Sequence, residues 1–276
     1  MIKGDISPKN VKEIMNVKTN GFKLRPFKLN VTNGTLRGYW MVPKVEGKTK
    51  FPTVILSHGI GSNQFISFTY GIPFARRGYQ VLCYDFANSG SGLSGLDSEK
   101  MSLLSEKQDL LEVIDYVKTL SSVDTDHLIL SGCSQGGIVS SLAAAEREDD
   151  IERQILYYPA YSIPDLAREG HLMTAKYDPN NIPDKQHILF LKINKKYPTD
   201  AMTLDPYEQM CTYKKPVYIV HGTQDGIIDV NYSRKAERLF PDCTLDEING
   251  DHGFIKRGAI ASAIKTIVYI EKEMNK

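Results

Sequence analysis

The residues of this sequence best suited to chemistry lie in Gly132-Cys133-Ser134-Gln135-Gly136, which fits the pattern G-x-S-x-G. A short apolar run, Leu128–Leu130, precedes the pattern, and a segment rich in small residues follows it. Between a strand and a helix, this pattern is typical of a sharp turn that presents a nucleophilic serine at the carboxyl end of the strand. The same residues also fit a glycine-rich turn in which Ser134 only caps the helix. The pattern predicts a nucleophile at Ser134, which needs a base and an acid from elsewhere in the chain.

Two later strand ends supply candidates for that base and that acid. Asp225 follows a predicted buried strand, with Asp229 as a rival for the same role, and His252 follows the next strand in a loop rich in Gly and Asp. The chain order Ser134, Asp225, His252 is the order of nucleophile, acid and base that this sheet topology requires. The sequence therefore predicts a serine–histidine–aspartate triad.

A tetrahedral intermediate also needs donors for its oxyanion. We expect one from the backbone N–H of Gln135, at the start of a helix, and one from the N–H of Ile60, in the loop after an earlier strand. His58 and His221 each precede a glycine at a strand end, and we expect both imidazoles to be packed or bonded to the backbone.

The elements that must position these residues alternate between strand and helix, which predicts an α/β fold with a mostly parallel sheet and helices on both faces. Asn33-Gly34 between two alternating segments predicts an N-terminal antiparallel hairpin. Residues 160–213 break the alternation and are too long for a plain loop, so we expect an inserted lid or cap subdomain. The core would then comprise residues 1–159 and 214–276.

Composition limits the classes of partner. The chain has 276 residues with a formal net charge of +1, which gives no electrostatic reason to expect nucleic acid or a membrane as partner. No apolar run is long enough for a transmembrane helix, and the first residues lack the apolar block of a signal peptide, so we expect a cytoplasmic protein. The four cysteines form no CxxC pair, and we expect them reduced, with no metal and no cofactor. A homodimer is left open.

The first 26 residues show one weak helical pattern, in which Val11, Ile14 and Met15 could form a short amphipathic turn.

Taken together, these motifs resemble the α/β-hydrolase superfamily along nearly the whole chain, and more narrowly the bacterial cinnamoyl (feruloyl) esterases. The segment most specific to those esterases is YDPNNIPD, inside the insertion. The matching segments are SHGIGSN (57–63), YDFANSGSGLSG (84–95), SGCSQGG (131–137), YYPA (157–160), YDPNNIPD (177–184), HGTQDGIID (221–229) and GDHGF (250–254).

The resemblance implies that the insertion covers the acyl pocket. Leu166 and Met173 stand near where that family has polar residues for a phenolic hydroxyl, and Tyr161 and Asp165 could take their place. We expect the substrate pocket to include Tyr161, Asp165, Met173 and Ile228.

Three hypotheses about function follow. The first is a serine carboxylesterase that acts on small esters, with hydroxycinnamoyl or aryl esters among the candidates, through an acyl-enzyme. The second is a serine peptidase or carbon–carbon-bond hydrolase on the same fold, because the triad does not separate these reactions. The third is a catalytically inactive binding protein.

Overall fold

Strands and helices alternate along most of the chain. The structure, a computed structural model, describes residues 21–254 and 258–273. The strands are β1 (Phe22–Val31), β2 (Gly34–Pro43), β3 (Phe51–Ser57), β4 (Gln80–Asp85), β5 (Val123–Cys133), β6 (Arg153–Tyr157), β7 (His171–Leu172), β8 (Ala175–Lys176), β9 (Lys185–Ile188), β10 (Leu191–Asn194), β11 (Val217–Gly222) and β12 (Cys243–Ile248). The α-helices within these residues are α1 (Gln64–Arg76), α2 (Leu103–Lys118), α3 (Gln135–Glu146), α4 (Ile163–Arg168), α5 (Lys196–Met202), α6 (Pro206–Met210), α7 (Asn231–Leu239) and α8 (Ala259–Glu273).

The central sheet has eight strands in the order β1-β2-β4-β3-β5-β6-β11-β12. The neighbours from β4 to β12 in this order are parallel, whereas β2 is antiparallel to both β1 and β4. The predicted fold class, a mostly parallel sheet that opens with an antiparallel hairpin, is confirmed. Because parallel neighbours place their carboxyl ends at one edge, the ends of β3, β5, β11 and β12 can share a site there.

Both faces of the sheet are covered, and β3 shows why. Val54 and Leu56 are buried in a core that also contains Phe74 of α1 and Ile267 of α8. Ile55, between them in sequence, is buried in a second core with residues of α2 and α3. Since alternate residues of a strand point to opposite faces, a strand covered on both faces must be apolar throughout, which is why the parallel strands read as continuous apolar runs.

The N-terminal antiparallel hairpin is present, but its turn lies one residue before the predicted Asn33-Gly34 pair. β1 and β2 pair from Phe22↔Pro43 to Val31↔Gly34, so Thr32 and Asn33 form the turn. Gly34 has a φ of 146°, in the region that favours glycine.

Residues 160–213, the predicted insertion, carry secondary structure of their own. The insertion contains α4, a β7–β8 hairpin, a β9–β10 hairpin, α5 and α6. Buried tyrosine hydroxyls attach it to the remainder of the chain: Tyr161 contacts Ser141, and Tyr213 donates to the Ile151 carbonyl. The insertion shares one continuous apolar core with α2 and α3, so it is packed against the sheet layer.

The short turn predicted at Val11, Ile14 and Met15 lies outside the described residues. Among the helices that are described, none combines the length and the apolar character needed to span a bilayer.

Candidate active site

Ser134 stands at the turn between β5 and α3 with an unusual backbone conformation. Its φ is 53° and its ψ is −119°, a combination that is strained for a residue with a side chain. The turn is held because Ser134 N–H donates to the Tyr157 carbonyl at 3.0 Å, and the Ser134 carbonyl accepts from the N–H groups of Gly137 and Ala160 at 2.9 Å. The Ser134 hydroxyl makes no capping hydrogen bond to α3 and lines a cavity instead. This geometry favours the nucleophile over the helix cap.

Gly136 of the same turn is required by a close approach of backbones. A Cβ on Gly136 would lie well inside 3.0 Å of the carbonyl oxygens of Ser57 and His58. Real Cβ atoms do not come so near, so any larger residue would push α3 away from the end of β3. The glycine therefore lets the turn that carries Ser134 sit directly against the loop after β3.

Asp225 and His252 meet at the ends of β11 and β12. His252 Nδ1 lies 2.8 Å from Asp225 Oδ2, and the Asp225 side chain is fully enclosed. Burial alone would raise the pKa of Asp225, but hydrogen bonds from His221, His252 and the Ile228 N–H outweigh it and hold that pKa well below its usual range. Asp225 is thus ionised at neutral pH and accepts the Nδ1 proton, so Nε2 of His252 is the nitrogen left to accept a proton. His252 and Ser134 line the same cavity.

His221 holds Asp225 from a second side, a role that the sequence did not reveal. The fully buried imidazole places Nε2 3.2 Å from Asp225 Oδ2 and 3.1 Å from the Ile228 carbonyl oxygen, with Nδ1 2.7 Å from Ser233 Oγ. The expectation of a backbone-bonded histidine describes only one of these contacts. The available signal was its position four residues before Asp225 across a strand-end turn.

Asp229, the rival acid, faces elsewhere. Its Oδ1 accepts from the Asn231 N–H at 2.8 Å, at the first residue of α7. Asp225 Oδ1, in contrast, accepts from the N–H groups of Ile227 and Ile228 at 2.9 Å each, which fixes the carboxylate so that Oδ2 faces the two imidazoles.

The loop after β3 brings the Gly59–Ile60 peptide beside Ser134. A Cβ built on Gly59 would lie 3.0 Å from Ser134 Cβ and 3.6 Å from its Oγ. Phe86 N–H donates to His58 Nε2 at 3.3 Å, so the proton of this imidazole is on Nδ1, which lies 2.8 Å from the Gly59 carbonyl oxygen. Burial lowers the pKa of His58, which keeps the ring in this neutral form. Because the Gly59 carbonyl and the Ile60 N–H belong to one planar peptide, the His58 bond also fixes the direction of the Ile60 N–H.

A cavity of about 810 Å³ opens over Ser134. Its described wall consists of aliphatic and aromatic side chains, with hydroxyl groups and imidazoles as the polar members and no Asp, Glu, Lys or Arg. The insertion supplies a large part of this wall. Its apolar contributions include Ile163, Leu166, Leu172, Met173, Ile188 and Leu189.

The structure brings only some of the predicted pocket residues to the cavity. Met173 and Ile228 line it, whereas Asp165 and Tyr161 do not. On α4 the side chains of Asp165 and Arg168 pair at 3.0 Å on the exposed face of the helix, away from Leu166.

Tyr161 is buried with its hydroxyl 2.8 Å from Ser141 Oγ, so it attaches the insertion to α3. Neither Tyr161 nor Asp165 therefore supplies a polar group to the pocket in the place of Leu166 or Met173.

Tyr158 is a further site residue that the sequence did not single out. Its ring centroid lies 4.5 Å from that of His252, and its hydroxyl lies 2.7 Å from that of Tyr70, which also lines the cavity. Tyr158 has a φ of 39°, an uncommon backbone conformation for a residue with a side chain. Nearby, burial raises the pKa of Cys133 to about 12, so this thiol stays protonated at neutral pH.

A protein-family model described as serine aminopeptidase, S33 (Hydrolase_4) matches residues 49–211 of this chain. The match covers more than half of the sequence. It includes Ser134 and ends before Asp225 and His252.

A solved structure resembles most of the chain, and two curated proteins resemble about a third of it. The structure of Est1E from Butyrivibrio proteoclasticus with bound ferulic acid superposes with a TM-score of 0.83 at 28% identity, covering 91% of this chain and 100% of that chain. Protein YcjY of Escherichia coli (strain K12) is 28% identical over 38% of this chain and 35% of its own length. Quorum-quenching protein AidA of Acinetobacter baumannii (strain MDR-ZJ06) is 25% identical over 31% of this chain and 28% of its own length. The chain thus spans about a third of the length of these two curated relatives.

Proposed function

We propose, from the premise that this chain belongs to the serine aminopeptidase S33 (Hydrolase_4) family of serine hydrolases, that it is a carboxylesterase acting on small, uncharged, largely apolar esters. The observation that carries the proposal is Ser134, on a strained turn, in the wall of the same apolar cavity as the Asp225-bound His252. The ferulic acid bound to Est1E supports an aryl acyl group as one class of substrate.

The mechanism assigns one step to each group. Ser134 Oγ attacks the ester carbonyl carbon while His252 Nε2 takes its proton, and Asp225 stabilises the resulting imidazolium through Nδ1–H. The N–H groups of Gln135 and Ile60 donate to the oxyanion of the tetrahedral intermediate. His252 then returns the proton to the leaving alcohol, and water attacks the acyl-enzyme by the same route.

The insertion takes the role of a lid in this proposal. Residues 160–213 form the subdomain that covers the acyl pocket, and residues 1–159 and 214–276 form the hydrolase core. Support comes from the position of Leu166, Met173 and other apolar residues of the insertion in the cavity wall.

The family description favours a second candidate, a serine aminopeptidase. Such an enzyme must hold the α-ammonium group of its substrate, and burying an unpaired charge is unfavourable. The described wall of the cavity offers this cation aliphatic, aromatic, hydroxyl and imidazole groups, without a carboxylate. An ester with an uncharged acyl group fits that surface, and we favour the esterase for this reason.

Parallel assays separate the two candidates. We expect turnover of p-nitrophenyl esters with uncharged acyl chains and of methyl ferulate, and little turnover of aminoacyl p-nitroanilides. A panel of N-acetylated and free α-amino esters of the same amino acid is the matched control, because the two differ only in the ammonium charge. A preference for the free amine would favour the aminopeptidase instead.

A further inference from the structure

The Gln135 side chain joins three parts of the molecule. Its Nε2 donates to Glu106 Oε2, on α2, at 2.7 Å, and its Oε1 accepts from the Tyr197 hydroxyl, on α5 of the insertion, at 2.5 Å. All three side chains are buried, with at most 3% of any of them exposed. Gln135 is also the first residue of α3, directly after Ser134.

Tyr197 is one of the residues that line the cavity, and its hydroxyl is bound to Gln135. Tyr197 therefore connects the cavity wall to Gln135, whose N–H is the proposed oxyanion donor. Other tyrosines attach the insertion at more distant points: Tyr161 reaches Ser141, and Tyr207 donates to the Tyr232 carbonyl.

Tyr197, Gln135 and Glu106 form one hydrogen-bonded connection, and Glu106 at its end is an uncharged carboxylic acid at neutral pH. Burial raises the pKa of Glu106 to about 8, helped by the nearby Asp109 and opposed by the hydrogen bond from Gln135. The other titratable groups that face this carboxyl are Tyr84 on β4 and Tyr197 on α5. Ionisation would place a negative charge in this buried position without a cation beside it. The Gln135 side-chain N–H would bind the carboxylate more strongly than the acid, but burying the unpaired charge is unfavourable and would disturb the packing around the connection.

We propose that Gln135 is a positioning residue. The hydrogen bonds that join Tyr197, Gln135 and Glu106 fix the position of the insertion relative to the oxyanion donor at the start of α3. This inference rests on the proposed function, which gives the Gln135 N–H its role. Removing the Tyr197 hydroxyl would leave Gln135 Oε1 buried without its donor. That would loosen the first turn of α3 relative to Ser134.

The primary test compares two hydroxyl deletions in the insertion. Tyr197→Phe removes the bond to Gln135, whereas Tyr177→Phe removes a hydroxyl that donates to the Ala167 carbonyl at 2.9 Å inside the insertion. We expect Tyr197→Phe to lower kcat about tenfold on short and long acyl esters alike, the size of one hydrogen bond, with little change in KM. Tyr177→Phe is expected to leave both constants near those of the wild type.

A second readout uses pH. In the wild type, kcat should fall above about pH 8 as Glu106 ionises. Glu106→Gln keeps an acceptor for Gln135 and does not ionise, so its ratio of kcat at pH 9 to kcat at pH 7 should exceed that of the wild type. Glu106→Leu removes the acceptor and should lower kcat at both pH values.

The outcomes separate the inference from the proposed function. The inference fails if Tyr197→Phe matches Tyr177→Phe, or changes only KM, in an enzyme that loses ester hydrolysis on Ser134→Ala. Retained hydrolysis in Ser134→Ala would instead overturn the proposed function. If Tyr197→Phe does not fold, the alkaline ratio of Glu106→Gln decides, and a ratio equal to that of the wild type refutes the connection.

Discussion

Replacing Glu106 with glutamine should change the free energy of unfolding by an amount that shifts in favour of the variant as pH rises. Burial raises the pKa of Glu106 from 4.5 to about 8 in the folded protein. A carboxyl whose pKa is higher in the folded state binds more protons when folded, so the free energy of unfolding falls as pH rises between the two pKa values. Glutamine carries no titrating proton and lacks this dependence.

The magnitude follows from the size of the pKa shift. Each pH unit between the two pKa values corresponds to about 1.4 kcal/mol. Because the slope is smaller close to each pKa, the unfolding free energy of Glu106→Gln should rise relative to the wild type by about 3–4 kcal/mol from pH 5 to pH 8. The extra amide donor of glutamine lowers the free energy of unfolding of the variant by about 1–2 kcal/mol. This cost does not change with pH, so the predicted dependence on pH is unaffected.

Urea unfolding followed by circular dichroism at pH 5, 6, 7 and 8 measures this slope. Glu112→Gln, on the same helix, is the matched control. Burial raises the pKa of Glu112, but hydrogen bonds from Thr32 and Gln108 outweigh burial and hold this pKa below its usual range. The stability that Glu112 contributes is thus present above pH 5 and lost only in acid. The difference in free energy of unfolding between Glu112→Gln and the wild type should therefore stay constant from pH 5 to pH 8. A difference that also stays constant with pH for Glu106→Gln would refute the raised pKa of Glu106.

Two further variants test the site. Asp225→Asn should lower kcat about 10⁴-fold, because the amide cannot hold the imidazolium, whereas Asp229→Asn should stay near the wild type, because either side chain accepts from the Asn231 N–H. Equal losses in the two would contradict the assignment of the acid. Gly136→Ala should lose about 2 kcal/mol or more in thermal or urea unfolding, because its Cβ would collide with the Ser57 carbonyl oxygen. A fully stable alanine variant would contradict the close approach.

Local patterns were sufficient to predict much of the fold. The N-terminal hairpin, the apolar strands and the strand–helix alternation each depend on neighbouring residues, and the structure contains all of them, with the hairpin turn at Thr32 and Asn33. The strand before Ser134 is longer than the apolar run Leu128–Leu130, because pairing with β3 and β6 extends it in both directions.

Contacts between distant residues could not be read in the same way. The Tyr197 hydroxyl reaches a residue 62 positions away, and Gln135 reaches Glu106 over 29 positions. Asp165 was expected in the pocket, but the orientation of α4 turns it outward and turns Leu166 inward. Which face of a short helix is buried depends on packing that one sequence does not display.

The central claim is that Ser134 carries ester hydrolysis, and its most direct measurement is kcat/KM for one uncharged aryl ester in the wild type and in Ser134→Ala. Thermal unfolding of both proteins should show that the variant is folded. We predict that kcat/KM falls by at least about 10⁴-fold in Ser134→Ala. In the wild type, a fluorophosphonate should label Ser134 covalently. Turnover by Ser134→Ala at the wild-type rate would contradict the account.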